Sequence, residues 1–251
     1  KQHLDGYKKW LEKKYTNKNT IATRLSYLCA IINYADEIGI ITRNPIPRKY
    51  GSSFVDGNRE ILTDDECLKL IEIKDSTLTE TECKAKYCLV TSLLTGIGYG
   101  DLETMEYENI KQDMDGWFFQ KKRNKTDKGF RVPLSENALL HVKELIRLCG
   151  NDIKPFNLPD IGYTNRMYQK LGLVAGIDKK ITTYTLRHTF SVDFMNKGGT
   201  LEDLKEMLGH TKLSTTAIYG KISSNRLSRK MKEHEMKSPI HQIQKNRLVA
   251  V

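Results

Sequence analysis

The chain has 251 residues, of which 39% are hydrophobic and 29% charged, and its formal net charge is +10. It contains no apolar run near the roughly 20 residues that span a bilayer, and its first residues lack the apolar centre of a signal peptide. These properties argue against a membrane protein and predict a globular chain of one or two domains. The surplus of cations favours polyanionic partners.

The five cysteines are an odd number, and no two of them form a C-x-x-C pair. This distribution argues against a disulfide framework and against a zinc site. We expect free thiols in a reducing cytoplasm. The chain also lacks an initiator methionine, which indicates a processed chain or a fragment of a longer protein.

The N-terminal segment is predicted to be helical and strongly basic. Apolar residues recur at steps of three and four from Ile21 through Leu25 to Ile32, as they do on one face of a helix. Gly39 is a plausible stop for this helix. Residues 1–50 hold ten Lys and Arg against four Asp and Glu, so most of the net charge lies in the first fifth of the chain.

The stretch ITRNPIPRKYGSSFVDGNRE is predicted to connect two domains. It contains two prolines, two glycines and several cations, and it shows no periodicity. We therefore assign a helical domain to residues 1–47, a linker to 48–59, a second domain to 60–235 and a short basic tail to 236–251.

The second domain is predicted to be mainly helical with one small sheet. Thr63 and Glu66 form a capping box at the start of one helix, and Ser135 caps another. The stretches WFFQKK and FRVPL alternate like strands, and the turn-rich RNKTDKG between them predicts a β-hairpin. Further helices are predicted in CKAKYCLVTSLLTG, NLPDIGYTNRMYQKLGLVAGI, TYTLRHTFSVDFMNKG, TLEDLKEMLGH and STTAIYGKISSNRLSRKMKEHE.

Four residues of this domain suit the cleavage of a phosphodiester without metal, although each alone has a common structural explanation. An arginine near a helix start, a lysine at a hairpin tip, a histidine after a helix end and a core tyrosine are all ordinary features. Together they supply a phenolic nucleophile, fixed donors for the non-bridging oxygens and an acid for the leaving oxygen. The four residues are Arg187, Lys125, His210 and Tyr219.

The order and spacing of four sequence blocks resemble the tyrosine recombinase, or phage integrase, family. LLTGIGYGDLETMEYENI is similar to the T-G-L-R-x-x-E-L segment of that family, and NKTDKGFRVPL to its K-T hairpin. YTLRHTFSVDFMNKG resembles the H-x-L-R-H-T-F block, and EMLGHTKLSTTAIYGKI resembles the L-G-H-x-x-x-x-T-T-x-x-Y block. The stretch INYADEIGIITRNP resembles the end of the family's core-binding domain, so the resemblance covers nearly the whole chain.

The resemblance implies a role for each matching residue. Tyr219 would attack the scissile phosphate and form a 3′-phosphotyrosyl link. Arg187 and His210 would hydrogen-bond the phosphate oxygens, and Lys125 would protonate the departing 5′-oxygen. The supporting residues implied are Asp101, at the family's acidic position, and His188, through packing and hydrogen bonding.

Two positions depart from the family pattern. Gly98 stands where the family has the first arginine of its phosphate clamp, and removing one such donor costs about 10²–10³ in rate. Three explanations stay open: an inactivating change, a replacement cation, or a lineage that manages without the arginine, as mobile-element integrases of Bacteroides-like bacteria often do. Tyr184 stands where the family has a histidine, which a phenol can replace as a phosphate donor. The candidate replacement cations are Arg123, Arg131, Lys121 and Lys122.

The resemblance implies a mainly α fold with a small antiparallel β-sheet (α+β), in which a SAM-like core-binding domain precedes the catalytic domain. A further N-terminal domain for accessory DNA sites would be absent from this chain. The implied partner is double-stranded DNA, bound by a homo-tetramer whose tails dock on neighbouring protomers, with a monomer as an option for the free protein. No cofactor or metal is implied, and the expected location is the bacterial cytoplasm, at the nucleoid.

Two alternatives to a recombinase remain at this point. Gly98 makes a catalytically impaired DNA-binding protein plausible. The helix, turn and helix of TLEDLKEMLGHTKLSTTAIYGK also resemble the DNA-binding motif of a regulator, although that motif explains neither NKTDKG nor TGIGYGDL. Covalent capture of a suicide DNA substrate would distinguish the enzyme from both alternatives.

Overall fold

The computed structural model of the chain describes residues 2–46, 50, 54, 60–122 and 129–220. The contacts divide the chain into two units, Lys1–Asn58 and Arg59–Val251. Several predicted features lie wholly or mostly outside the described residues: the linker at 48–59, the tail at 236–251, and the hairpin turn with Arg123 and Lys125.

The first unit is a pair of helices, α1 (Gln2–Lys14) and α2 (Lys18–Glu37). Asn17 separates them, and its side chain accepts hydrogen bonds from the first amides of α2, which caps that helix. The small core between the helices is centred on Leu11, Ile21 and Leu25. The N-terminal helix predicted from the sequence is therefore confirmed.

The second unit contains most of the secondary structure. The helices and strands, in chain order, are α3 (Asp64–Ile71), α4 (Glu80–Thr95), α5 (Tyr99–Glu103), β1 (Ile110–Asp113), β2 (Gly116–Lys122), β3 (Gly129–Pro133), α6 (Glu136–Cys149), α7 (Ile161–Val174), α8 (Thr183–Asn196), α9 (Leu201–Leu208) and α10 (Leu213–Gly220). Short 3₁₀ helices lie at Asp75–Thr77 and Tyr107–Asn109. The mainly α fold with a small antiparallel sheet is confirmed.

The sheet has the strand order β1-β2-β3, with both pairs antiparallel. The pair β2–β3 is the predicted hairpin, in which Lys121 lies opposite Phe130. Strand β1 was not predicted. The inner side chains Phe119, Phe130 and Val132 are buried, so the sheet covers one side of the main core.

Helix α4 lies at the centre of the main core and packs against α6, α7 and α8. The capping box predicted at Thr63 and Glu66 is present at the start of α3, and the predicted Ser135 cap is present on α6. A second, smaller apolar cluster lies where α8, α9 and α10 meet, and it consists of Val192, Met195, Leu204, Leu208 and Tyr219.

The segment before α3 and the first turn of α3 are attached to the α8 region by three hydrogen bonds. The Leu62 amide donates to Thr189 Oγ1 at 3.0 Å. Lys179 Nζ donates to the Ile61 carbonyl at 3.0 Å and to Glu66 Oε2 at 2.6 Å. The chain therefore enters its second unit in a fixed position relative to α8.

Two further expectations concern the whole molecule. All five cysteines lie among the described residues and are free thiols, as the sequence predicted. Within the described ranges, no helix has the length and apolar character needed to cross a bilayer.

Candidate active site

The turn between α4 and α5 carries two glycines that shape the site. Gly96 ends α4 with φ +69°, a conformation that L side chains rarely adopt. A Cβ on Gly96 would lie 2.2 Å from the Phe190 ring, so a second, steric reason also requires glycine. The carbonyl of Gly96 accepts a hydrogen bond from Arg187, which explains how the turn after α4 positions a side chain of α8.

Gly98 caps the start of α5 in an extended conformation that any residue can adopt, with φ −75° and ψ 152°. A Cβ built on Gly98 would lie 3.6 Å from Arg187 Nη1 and 3.6 Å from Asp101 Oδ2. These are ordinary van der Waals distances. Position 98 therefore borders the Arg187 guanidinium, and neither backbone conformation nor space demands a glycine there.

Arg187 lies in the first half of α8, and only 11% of its side chain is exposed. Nη1 donates to the Gly96 carbonyl at 3.0 Å, and Nη2 donates to the Leu208 carbonyl at 2.7 Å. Asp101 Oδ2 lies 3.9 Å from Nη1. Two backbone acceptors and a carboxylate thus fix the plane of the guanidinium before any ligand binds.

His210 is positioned by the end of α9. Gly209 terminates that helix with φ +61°, and the imidazole that follows is held at both nitrogens. Nε2 lies 3.3 Å from Arg187 Nη2, and Nδ1 lies 3.0 Å from Thr216 Oγ1 on α10. Because a guanidinium has no acceptor, Nε2 accepts from Arg187, and the Nδ1 proton is donated to Thr216.

This tautomer has a chemical consequence for anion binding. Nε2 must carry a proton to donate to a phosphate oxygen. The Thr216 hydroxyl can donate as well as accept, so rotation of this hydroxyl lets Nδ1 of His210 become the acceptor. Thr216 therefore allows His210 to change tautomer without losing its partner on α10.

Tyr219 is only 3% exposed, and its ring packs in the apolar cluster between α8, α9 and α10. The His188 ring lies 5.2 Å away from the Tyr219 ring, centroid to centroid. Tyr184, one turn earlier on α8, contacts the His188 ring edge-on with 4.0 Å between centroids, and it is 58% exposed. His188 therefore contacts both of the predicted tyrosines of the site.

Two described cations of the hairpin have partners elsewhere. Arg131 contacts Asp113 Oδ2 at 2.5 Å and stacks 3.8 Å over the Phe118 ring, so its contacts lie on the sheet. Lys121 Nζ donates to the Thr104 carbonyl at the end of α5, and burial lowers the pKa of Lys121 below its ordinary value.

Cations also line a groove of about 550 Å³ along the sheet, which Lys111, Lys121, Lys122 and Arg131 share with Glu206. Four cations against one carboxylate make this groove suitable for polyanions. Within the described ranges, no group of three His, Cys, Asp or Glu side chains is placed to hold a metal ion.

Several of the predicted residues are thus neighbours in space. Arg187, His210, Asp101 and position 98 form one polar cluster, and His188 with its two tyrosines adjoins it on α8. The sequence reasoning missed Thr216 and the two carbonyls that hold Arg187. A signal for Thr216 existed, because it stands in the quoted TT of the last block.

Comparison with families of known proteins gives two matches along the chain. Residues 60–226 match the phage integrase family. Residues 1–52 match the phage integrase SAM-like domain. The first match alone covers well over half of the chain.

Two relatives illustrate the similarity in sequence. A tyrosine recombinase of Pseudothermotoga lettingae is 26% identical over 228 residues, which are 86% of this chain and 76% of the relative. The tyrosine recombinase XerD of Oceanobacillus iheyensis is 30% identical over 181 residues, 67% of this chain and 59% of XerD. The match therefore spans less than two thirds of the length of XerD.

Solved structures show the same fold. The XerH site-specific recombinase bound to its difH substrate aligns with a TM-score of 0.71 and 18% identity, over 86% of this chain and 67% of XerH. The Tn1549 transposon integrase in complex with transposon right-end DNA aligns with a TM-score of 0.70 and 16% identity, over 92% of this chain and 84% of the integrase chain.

Proposed function

The chain belongs to the phage integrase family, and we propose that it is a site-specific DNA recombinase acting through a 3′-phosphotyrosyl intermediate. One observation carries the proposal: the Arg187 guanidinium and the His210 imidazole lie 3.3 Å apart. They lie where α10, which bears Tyr219, packs against α8 and α9. The family membership favours this function over a helix-turn-helix regulator.

Arg187 and His210 are the proposed holders of the scissile phosphate. Negative charge grows on the non-bridging oxygens as the bond to phosphorus is exchanged, so donors fixed beforehand stabilise the transition state most. The carbonyls of Gly96 and Leu208 hold the guanidinium in that way. Asp101 supports the arrangement from 3.9 Å.

Tyr219 is the proposed nucleophile, and Lys125 the proposed acid for the 5′-oxygen. The buried position of the Tyr219 ring means that α10 must shift before the phenol can reach a phosphate. The role of Lys125 and the choice of Arg123 as a replacement cation rest on their places in the hairpin sequence NKTDKG and its flank. Tyr184 is proposed as a further donor at the position of the family's histidine.

Double-stranded DNA is the proposed partner. The XerH and Tn1549 structures contain DNA, and the groove lined by Lys121, Lys122 and Arg131 suits a phosphate backbone. We propose the domain limits given by the sequence, with catalysis in 60–235 and a homo-tetramer on DNA whose tails dock on neighbours. The proposed location is the cytoplasm, at the nucleoid.

A suicide DNA substrate, nicked so that the cleaved end diffuses away, tests the function directly. In excess EDTA, the wild-type chain should form a covalent protein–DNA adduct, because side chains supply the charge that a metal would supply. Tyr219→Phe should bind DNA with nearly unchanged affinity and form no adduct. The matched control is Tyr163→Phe, which removes one phenol hydroxyl elsewhere in the same unit and should leave adduct formation intact.

The same assay tests the second candidate function, a DNA-binding protein without cleavage activity. This candidate is considered because Gly98 replaces the first arginine of the family's phosphate clamp. Tight DNA binding by the wild-type chain without any adduct would establish it. An adduct that survives in Tyr219→Phe would assign the nucleophile to another residue.

A further inference from the structure

The site proposed for this chain has one phosphate donor fewer than the family pattern. Gly98 stands at the position of the family's first arginine, and a Cβ built there meets only Arg187 and Asp101 within 4 Å. Among the described residues, Arg187 is thus the only cation next to position 98 in the free protein. A second cation for the transition state would have to reach this space when the phosphate binds.

Strand alternation separates the described cations of the hairpin, because successive side chains point to opposite faces of a sheet. Lys121 lies opposite the buried Phe130, so its side chain is on the inner face of the sheet, which covers the core. Lys122 follows it on the outer face and is exposed. Arg131 lies opposite Gln120, on that same outer face. Lys121 is therefore the described hairpin cation that points toward the helices.

Lys121 is attached to the helix that begins at position 98. Its Nζ donates to the carbonyl of Thr104, which is the C-cap of α5, and Gly98 is the N-cap of the same helix. A helix rises about 1.5 Å per residue, so the two caps lie about 9 Å apart along the axis. The flexible four-carbon stem of a lysine can swing its amine over a comparable distance.

The surroundings of the Lys121 amine favour this movement when an anion arrives. Burial lowers the pKa of Lys121, and the charges of Glu106 and Asp101 oppose that shift. The amine is thus within electrostatic range of the carboxylate that lies 3.9 Å from Arg187. Lys121 and Thr104 also line a groove of about 480 Å³, so the amine is not enclosed by the core. An ammonium gains more from an anionic phosphate oxygen than from a neutral carbonyl.

We propose that Lys121 leaves the Thr104 carbonyl when DNA binds and places its ammonium against the scissile phosphate, on the side where Gly98 leaves space. This inference rests on the proposed function. Lys121 makes and breaks no covalent bond: it donates a hydrogen bond to a non-bridging oxygen, while Tyr219 and Lys125 keep the roles proposed above. A mobile amine is less well fixed than a guanidinium, so Lys121 replaces the family's arginine only in part, and Gly98→Arg should still raise the rate.

The test measures the rate of adduct formation on the suicide substrate at saturating DNA, together with DNA affinity. Lys121→Gln removes the charge but keeps an amide that can donate to the Thr104 carbonyl, and Lys121→Met keeps only the apolar stem. Both should reduce the rate about 10-fold or more, with rates compared per folded molecule from thermal melts. Lys121→Arg keeps the charge and should keep most of the rate. The control is Lys143→Met, at an exposed lysine of α6, which should leave the rate unchanged.

A second background separates the charge of Lys121 from any support that it gives to α5. In the Gly98→Arg chain, the new guanidinium takes over the contact with the phosphate, so Lys121→Gln should there cost less than about 3-fold in rate, and the two substitutions should not be additive. A loss as large as in the wild-type background would assign Lys121 to holding α5 in place, and it would overturn the proposal.

Two further outcomes would overturn the proposal. One is a rate in Lys121→Gln within about 3-fold of wild type. The other is a defect confined to DNA affinity, which would limit the charge of Lys121 to DNA binding. If neither the wild-type chain nor Gly98→Arg forms an adduct, the proposed function itself fails, and this inference fails with it.

Discussion

Arg187 and Tyr219 lie on helices that pack against each other, α8 and α10, but different forces hold their side chains. Arg187 is fixed by directional bonds to the carbonyls of Gly96 and Leu208 and to His210. The Tyr219 ring packs among the apolar side chains of Val192, Met195, Leu204 and Leu208, and apolar burial is not directional.

The difference matches the two tasks proposed for these residues. A group that binds the phosphate must be in place before the transition state forms, because any later reorganisation adds to the barrier. A nucleophile that starts 3% exposed must move. When a side chain moves, its apolar packing energy decreases gradually because the contacts are not directional. A buried hydrogen bond depends on geometry, so the same movement breaks it and leaves a polar group unsatisfied. Substitutions in the polar cluster around Arg187 should therefore reduce the rate of adduct formation. Substitutions in the apolar cluster around Tyr219 should reduce the free energy of unfolding.

The largest effect is expected from Arg187→Lys. Lysine retains the charge but is a single point donor, which cannot span the Gly96 and Leu208 carbonyls and His210 together. The adduct rate should fall about 10²–10³-fold, with little change in DNA affinity. Arg147→Lys, at an exposed arginine paired with Glu144, is the control. A fall of less than tenfold would show that the fixed guanidinium plane does not matter.

A smaller effect, of opposite sign, is expected from Gly98→Arg. The site has room for the Cβ beside Arg187 and Asp101, and a second guanidinium there would act most on the charge that grows in the transition state. The adduct rate should rise roughly 10-fold, and DNA affinity should rise much less. Gly100→Arg is a matched control, since a Cβ on Gly100 meets nothing within 4 Å.

An unchanged rate in Gly98→Arg would contradict the idea that position 98 borders the phosphate. A lower rate would show that another cation, such as Arg123 of the hairpin, already fills the space. In that case alanine at the true substitute should silence cleavage while DNA binding survives.

The apolar cluster is tested by Leu204→Ala, for which the smallest effect on rate is expected. Leu204 is fully buried beside Tyr219, and a truncation of this kind costs about 2–5 kcal/mol of unfolding free energy. The denaturant midpoint should fall clearly, while the adduct rate per folded molecule changes only a few-fold. Leu173→Ala, at a leucine that is 73% exposed, should change neither. A fall in rate as large as that of Arg187→Lys would erase the distinction between the clusters.

Elements with both a periodic apolar face and a side-chain cap could be predicted from local sequence, as Thr63 and Ser135 show. Strand β1 could not, because Ile110–Asp113 is a four-residue edge strand with no fully buried residue and no clear alternation. Helix α5 could not, because it is five residues long and contains Gly100. Short elements of this kind depend on packing by the rest of the fold.

The site shows a similar division. A family resemblance identified the sequence blocks that contain Arg187 and His210, together with their order. It did not identify the hydrogen-bond acceptors that hold the Arg187 guanidinium. Those acceptors are backbone carbonyls, at Gly96 and Leu208, and every residue has such a group. The burial of Tyr219 also depends on three helices meeting, which local sequence does not specify.

The attachment of the segment before α3 has a mechanical consequence. Lys179 and Thr189 hold Ile61, Leu62 and Glu66 by hydrogen bonds, so the backbone around Ile61 and Leu62 is anchored to the α8 region. Thr189 stands two residues after Arg187 on the same rigid helix. We therefore expect a displacement of the Leu62 backbone to pull on the helix that carries the Arg187 guanidinium.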